Sequence, residues 1–123
     1  MSTKSLNIGL TGCGHLGKIH CRLINEIAQK NSNVTFKGFY DSDPAVTEAI
    51  SKEYSIKAYR SLEEILAEVD ALVIVTPTST HFEIAQKALE KDINIFIEKP
   101  VTSSLKEAEE LIKMAEGKKI KIQ

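Results

Sequence analysis

Gly12-Cys13-Gly14-His15-Leu16-Gly17 is a G-x-G-x-x-G run set directly after a short apolar stretch and directly before a helical pattern. That setting admits few folds, because a strand must turn sharply and feed a helix without a linker. Each glycine has a distinct task there. Gly12 permits the tight turn, Gly14 lets a pyrophosphate approach the backbone, and Gly17 lets helix and strand pack closely. The N-terminus of the following helix offers N–H groups and partial positive charge to the phosphates. The same residues fit G-x-x-x-x-G-K through Gly12, Gly17 and Lys18. A triphosphate-binding loop needs Ser or Thr next, to place a hydroxyl on Mg²⁺, and Ile19 cannot serve.

The rest of the chain alternates two kinds of segment. Leu6–Thr11 and Val34–Tyr40 read as strands, the second rich in β-branched and aromatic residues. Between them Leu16, Ile19, Leu23, Ile24 and Ile27 recur at helical spacing through about Lys30, the face expected to meet the core. Asp43-Pro44 opens a second helix, with Asp as N-cap and Pro at the first position, where its missing N–H costs nothing. Ile56 to Tyr59 forms a candidate short third strand. Three Ser/Thr-x-x-Glu capping boxes follow, Ser61…Glu64, Thr80…Glu83 and Ser104…Glu107. They predict helices over about 62–68, 81–91 and 105–116. Ala71–Val75 and Ile93–Ile97 are nearly all apolar, as expected of parallel strands buried on both faces. Lys119 to Gln123 begins a further strand. The pattern predicts an α/β fold, a Rossmann-type doubly wound and mostly parallel sheet with helices on both faces.

With 123 residues, a single domain spanning residues 1–123 is expected. Sixteen Lys+Arg against 17 Asp+Glu leave a net charge of −1, without the basic excess of a nucleic-acid binder. Lys118, Lys119 and Lys121 are read as a solvated basic face. No apolar run approaches the roughly 20 residues of a membrane span, and no secretory signal is apparent. Cys13 and Cys21 match neither a C-x-x-C motif nor a metal set. A cytoplasmic setting with two free thiols is the expectation.

Three further groups carry chemistry. Asp41 lies 24 residues beyond Gly17, at the end of the second strand. There an acidic side chain can accept both adenosine ribose hydroxyls and repel a 2′-phosphate, which favours NAD over NADP. Neither Ser42 nor Asp43 supplies a cation to reverse that preference. The plainer reading of Asp41 is the start of an Asp-Ser-Asp-Pro turn. Thr76-Pro77-Thr78-Ser79-Thr80-His81 follows the fourth expected strand, where open α/β sheets bind ligands. Taken alone, His81 reads as a solvated histidine in a helix's first turn and Thr80 as an N-cap. Glu98-Lys99-Pro100 follows the next strand at that same edge. It is either a surface ion pair or part of the crevice.

Together these residues resemble the N-terminal half of the glucose–fructose oxidoreductase, inositol dehydrogenase and rhizopine-catabolism (Gfo/Idh/MocA) family. The resemblance rests on Gly12-x-Gly14-x-x-Gly17, Asp41, Thr76-Pro77-Thr78 with His81, and above all Glu98-Lys99-Pro100. It implies an NAD(P)-dependent oxidoreductase acting on sugars, sugar derivatives or cyclitols. By the same resemblance, the backbone at His15 and Leu16 touches the pyrophosphate, while Thr76, Pro77 and His81 line the nicotinamide side. Glu98 bonds the nicotinamide ribose, and Lys99 sits between cofactor and substrate as the acid–base group. A cis Lys99–Pro100 bond is a further implication. The family also carries an α+β substrate domain and a usual oligomer interface beyond this half, so residues 1–123 are expected to be the nucleotide-binding part of a homo-oligomer. Two other classes remain to be weighed. A redox-sensing module has no need of Glu98-Lys99-Pro100, and a methyltransferase fits Gly17 and Lys99 poorly.

Overall fold

The computed structural model describes residues 5–12, 14–98, 102–118 and 122, apart from the side chain of His15. The chain runs β1 (Leu6–Thr11), α1 (His15–Lys30), β2 (Val34–Tyr40), α2 (Pro44–Tyr54), α3 (Leu62–Leu66), β3 (Ala71–Ile74), α4 (Thr78–Glu90), β4 (Asn94–Ile97) and α5 (Leu105–Glu116). The four strands form one parallel sheet in the order β2-β1-β3-β4. Parallel neighbours require crossover connections, and the helices supply them.

Successive strand residues point to opposite faces, and two cores result. On one face Leu72, Ile74, Ile95 and Ile97 pack with Ile65 of α3, Ala85 and Leu89 of α4 and Leu111 of α5. On the other, Leu10 and Phe39 pack with Cys21 and Ile24 of α1 and Ile50 of α2, with Val73 and Val75 at the margin. The sheet is therefore covered on both sides, as a doubly wound domain requires.

Several boundaries differ from the sequence expectation. Residues 56–59 make only a single bridge, Ala58 to Phe39, flanked by hydrogen bonds from Phe39 to the Lys57 carbonyl and from Tyr59 to the Phe39 carbonyl. The Lys57 carbonyl sits where a side chain at Gly38 would be, and Gly38 has φ +144°, so this approach depends on glycine. Helix α4 starts at Thr78 with Pro77 as N-cap, which removes the expected cap at Thr80. Instead the Thr80 hydroxyl donates to the Pro77 carbonyl at 2.7 Å and lies 2.7 Å from the Thr76 hydroxyl. Ser61 and Ser104 do cap α3 and α5, accepting from the N–H groups of Glu64 and Glu107. Asp43 caps α2 through Ala45.

The apolar stripe of α1 is the largest departure. Cys21 and Ile24 are buried, whereas Leu16, Ile19, Leu23 and Ile27 are all exposed. Periodicity shows which residues share a face but not which face docks. The docking edge is set by Gly17, Cys21 and Ile24, all buried and spaced at i, i+4 and i+7. Because α1 packs on β1 and β2, no helix among the described residues covers the same side of β4 as fully, and Phe96 is 39% exposed. That strand is not buried on both faces. Beyond α5, Ile122 bridges Ile95 in parallel, at the place expected for a further strand. The other residues of that strand, Lys119–Lys121 and Gln123, lie outside the described residues. Lys118 is more than a solvated charge, since its Nζ donates to the Leu89 carbonyl at 2.9 Å and pairs with Asp92 at 3.0 Å.

Candidate cofactor site

All four strands deliver their carboxyl ends to one edge of the sheet. A crevice of about 770 Å³ opens there, lined by Gly12, Gly14, Leu16 and Gly17 from the glycine turn, Asp41 after β2, and Thr76 and Pro77 after β3. That volume is within the range of small-molecule and cofactor clefts. Thr78, His81 and Glu98 stand beside the crevice rather than in its lining. Ser61, expected only as a helix cap, also lines it, as do Leu62, Glu63, Ile84 and Lys87, residues that the motif reading did not single out. Their signal was indirect: a capping box at Ser61 places a helix start at this same edge.

The glycine turn is built as its residue types require. Gly12 has φ +92°, and a Cβ there would stand 2.7 Å from both the Thr76 nitrogen and the Val75 carbonyl carbon. Its N–H donates to the Tyr40 carbonyl at 2.9 Å, so the turn is clasped between β2 and β3. Gly14 is the N-cap of α1 and has no side chain with which to cap it. A Cβ at Gly14 would meet nothing within 4 Å. Open space therefore faces the uncapped N–H groups of α1, where the helix dipole favours an anion. Helix α4 likewise begins at this edge with no side-chain cap and no acidic residue in its first turn. The three helices that Asp43, Ser61 and Ser104 cap contrast with these two. Beneath the turn, Thr11 is buried and its hydroxyl has no hydrogen-bond partner among the described residues. The Cys13 part of the motif lies outside the described residues.

Asp41 starts the expected turn and stands at the crevice. Its Oδ1 accepts from the Asp43 N–H at 2.8 Å, which starts the turn, and the residue also lines the crevice. Its immediate neighbours carry no cation, but the fold brings Lys52 and Arg60 to an adjoining depression of about 540 Å³ that shares Asp41 and Ser42. His81 is not a solvated first-turn residue. It is 1% exposed, and its Nε2 donates to the Thr76 carbonyl at 2.7 Å. With α4 starting three residues earlier than expected, His81 falls on the inward side of the helix.

The Glu98 N–H donates to the Ile74 carbonyl at 3.1 Å, which fixes the backbone at the end of β4. Its Oε1 lies 2.8 Å from His20 Nε2 on α1. His20 is a site neighbour that the sequence reading missed, although it stands three residues past Gly17. Lys99 and Pro100, with the expected acid–base role and cis bond, lie outside the described residues. No metal-binding group of His, Cys, Asp or Glu occurs among the described residues, and no described helix is long and apolar enough to cross a membrane.

Residues 6–123 match the family described as "Oxidoreductase family, NAD-binding Rossmann fold", GFO_IDH_MocA. The chain belongs to the Gfo/Idh/MocA family. The cofactor of this family's fold is NAD. The chain is 38% identical over 111 residues to UDP-N-acetylglucosamine 3-dehydrogenase of Acidithiobacillus ferrooxidans, covering 90% of this chain and 34% of that enzyme. It is 29% identical over 120 residues to inositol 2-dehydrogenase of Rhizobium meliloti, covering 96% and 35%. A solved structure of the Acidithiobacillus enzyme superposes with a TM-score of 0.86 at 35% identity, over 96% of this chain and 38% of that one. The chain spans about a third of the length of these curated Gfo/Idh/MocA relatives.

Proposed function

We propose that this chain forms the cofactor half of an NAD-dependent dehydrogenase that moves hydride between nicotinamide and a secondary alcohol of a sugar, sugar derivative or cyclitol. The observation that carries the reading is the start of α1. Gly14 caps it without a side chain and faces open space inside the crevice, with Asp41 at the adjoining strand end. Gly12, Gly14, Gly17 and the backbone at His15 and Leu16 hold the pyrophosphate, and Asp41 accepts from the adenosine ribose. Thr76, Pro77, Thr78, His81 and Glu98 serve the nicotinamide side, where His81 and Thr80 keep Thr76 in place. Bound NAD supplies the hydride acceptor, and Lys99 manages the proton of the substrate hydroxyl. Residues 1–123 act as one nucleotide-binding domain. The opposite wall of the substrate site and an oligomer interface come from the remainder of a longer protein, as the length of the relatives suggests. The free, buried thiol of Cys21 suits a cytoplasmic setting.

Fluorescence titration with NADH tests this. Saturable binding is expected, lost in Gly14→Asp because the new carboxylate takes the pyrophosphate position. Wild type should prefer NADH to NADPH. Asp41→Ala should narrow that preference, since it removes the repulsion and leaves Lys52 and Arg60 nearby. The 123-residue chain should show no polyol oxidation by itself. Unchanged NADH affinity in Gly14→Asp, or tighter NADPH binding by the wild type, would overturn the assignment.

A further inference from the structure

The side chains of Asn94, Phe96 and Glu98 project from one face of β4 and its end, the face shared with α1. Helix α1 packs on β1 and β2, and β4 is separated from β1 by β3. Contact between α1 and the β4 end therefore needs a side chain reaching across. His20, in the second turn of α1, makes that reach, with Nε2 2.8 Å from Glu98 Oε1. Side-chain exposure is 18% for His20 and 25% for Glu98, so the pair is partly shielded from water. The Phe96 ring stands against the imidazole, centroids 6.0 Å apart and planes tilted by 57°, which restricts the ring's rotation. A carboxylate oxygen only accepts, so the imidazole Nε2–H donates.

We propose that His20 is a positioning residue of the cofactor site: it holds the Glu98 carboxylate at the sheet edge, tying the helix that begins at the glycine turn to the strand end that serves the nicotinamide riboside. The inference rests on the reading of Glu98 as the ribose acceptor given above. A glutamate side chain has three rotatable bonds, and immobilising it on binding lowers affinity by a factor of about three to ten. His20 removes that loss by ordering the side chain before the cofactor arrives. One helix then carries both elements of recognition, the N–H groups at its start and the tether in its second turn.

Calorimetric titration of the 123-residue chain with NAD⁺ and with 5′-ADP, which lacks the nicotinamide riboside, tests the assignment. His20→Ala should raise the NAD⁺ Kd about three- to tenfold and leave ADP binding within about twofold. His20→Gln, whose amide N–H can reach where Nε2 stands, should restore most of the NAD⁺ affinity. His20→Asn is too short and should behave like Ala, so the Gln–Asn pair carries the test even if His20→Ala fails to fold. In a Glu98→Ala background, His20→Ala should cause no further loss. Equal weakening of NAD⁺ and ADP would mark His20 as merely structural and overturn the proposal, as would additive losses in the double variant. Unchanged NAD⁺ affinity in His20→Ala, with Gly14→Asp still abolishing binding, would overturn the positioning role and leave the cofactor reading intact. Absence of NAD⁺ binding by the wild type would overturn both.

Discussion

The Nε2 of His81 donates to the carbonyl oxygen of Thr76 at 2.7 Å, so a buried side chain of α4 satisfies the backbone that ends the β3 segment. The Thr80 hydroxyl engages the Thr76 hydroxyl at the same distance. Replacing His81 by Leu keeps the bulk but leaves the Thr76 carbonyl without this donor, at a cost of about 1–3 kcal/mol. Thermal denaturation should show a clear fall in Tm for His81→Leu and a smaller one for His81→Gln. An unchanged Tm in His81→Leu would show that the bond contributes nothing to stability.

Gly12 and Gly14 should respond oppositely to alanine. At Gly12 the added Cβ meets Thr76 and Val75 backbone at 2.7 Å with φ at +92°, so Gly12→Ala should lose several kcal/mol, about the cost of strain plus displaced backbone. At Gly14 the Cβ meets nothing within 4 Å, and the fold should tolerate it. Gly14→Ala should instead weaken NADH binding, because the methyl group enters the space facing α1. Denaturant unfolding and NADH titration of both variants separate the two effects. Equal stability losses would contradict the geometry.

Leu23 and Ile24 are adjacent in α1 and differ in environment, 43% and 8% exposed. Ile24→Ala should cost about 2–5 kcal/mol through lost burial and a residual cavity. Leu23→Ala should cost less than about 1 kcal/mol, as is usual for surface positions. Urea midpoints of the two variants give the comparison directly. A larger loss at Leu23 would mean that the docked edge of α1 is misassigned.

Burial pushes the Cys21 thiol up to about 11, with the Glu53 carboxylate adding to the effect. The unfolded chain releases this proton near its ordinary value of 9.0, while the folded chain keeps it. The unfolded state therefore binds fewer protons above pH 9, and stability falls as pH rises from about 9 to 11. Two pKa units correspond to roughly 2–3 kcal/mol over that window. Cys21→Ala should flatten this alkaline limb relative to the wild type, measured as unfolding free energy against pH. Parallel limbs in the two proteins would assign the alkaline loss to other groups.

By itself the sequence determined the elements whose causes are local. The glycine turn, the Asp43-Pro44 start of α2 and the serine caps at Ser61 and Ser104 each involve residues a few positions apart, so their signals survive in the linear order. The alternation of apolar runs with helical spacing was equally local and was enough to indicate a parallel, doubly wound sheet, and Asp41 could be placed by its distance from the glycines. Only the tertiary structure decided which edge of α1 docks, because a hydrophobic stripe is symmetric with respect to partners not yet assigned. It also decided the start of α4, where Pro77 and the Thr76–His81 bond outweighed a capping pattern at Thr80. The same holds for Arg60 beside Asp41 and His20 beside Glu98. These pairs lie 19 and 78 positions apart; the fold, which no local propensity encodes, places Arg60 in the depression that Asp41 also lines and His20 against Glu98.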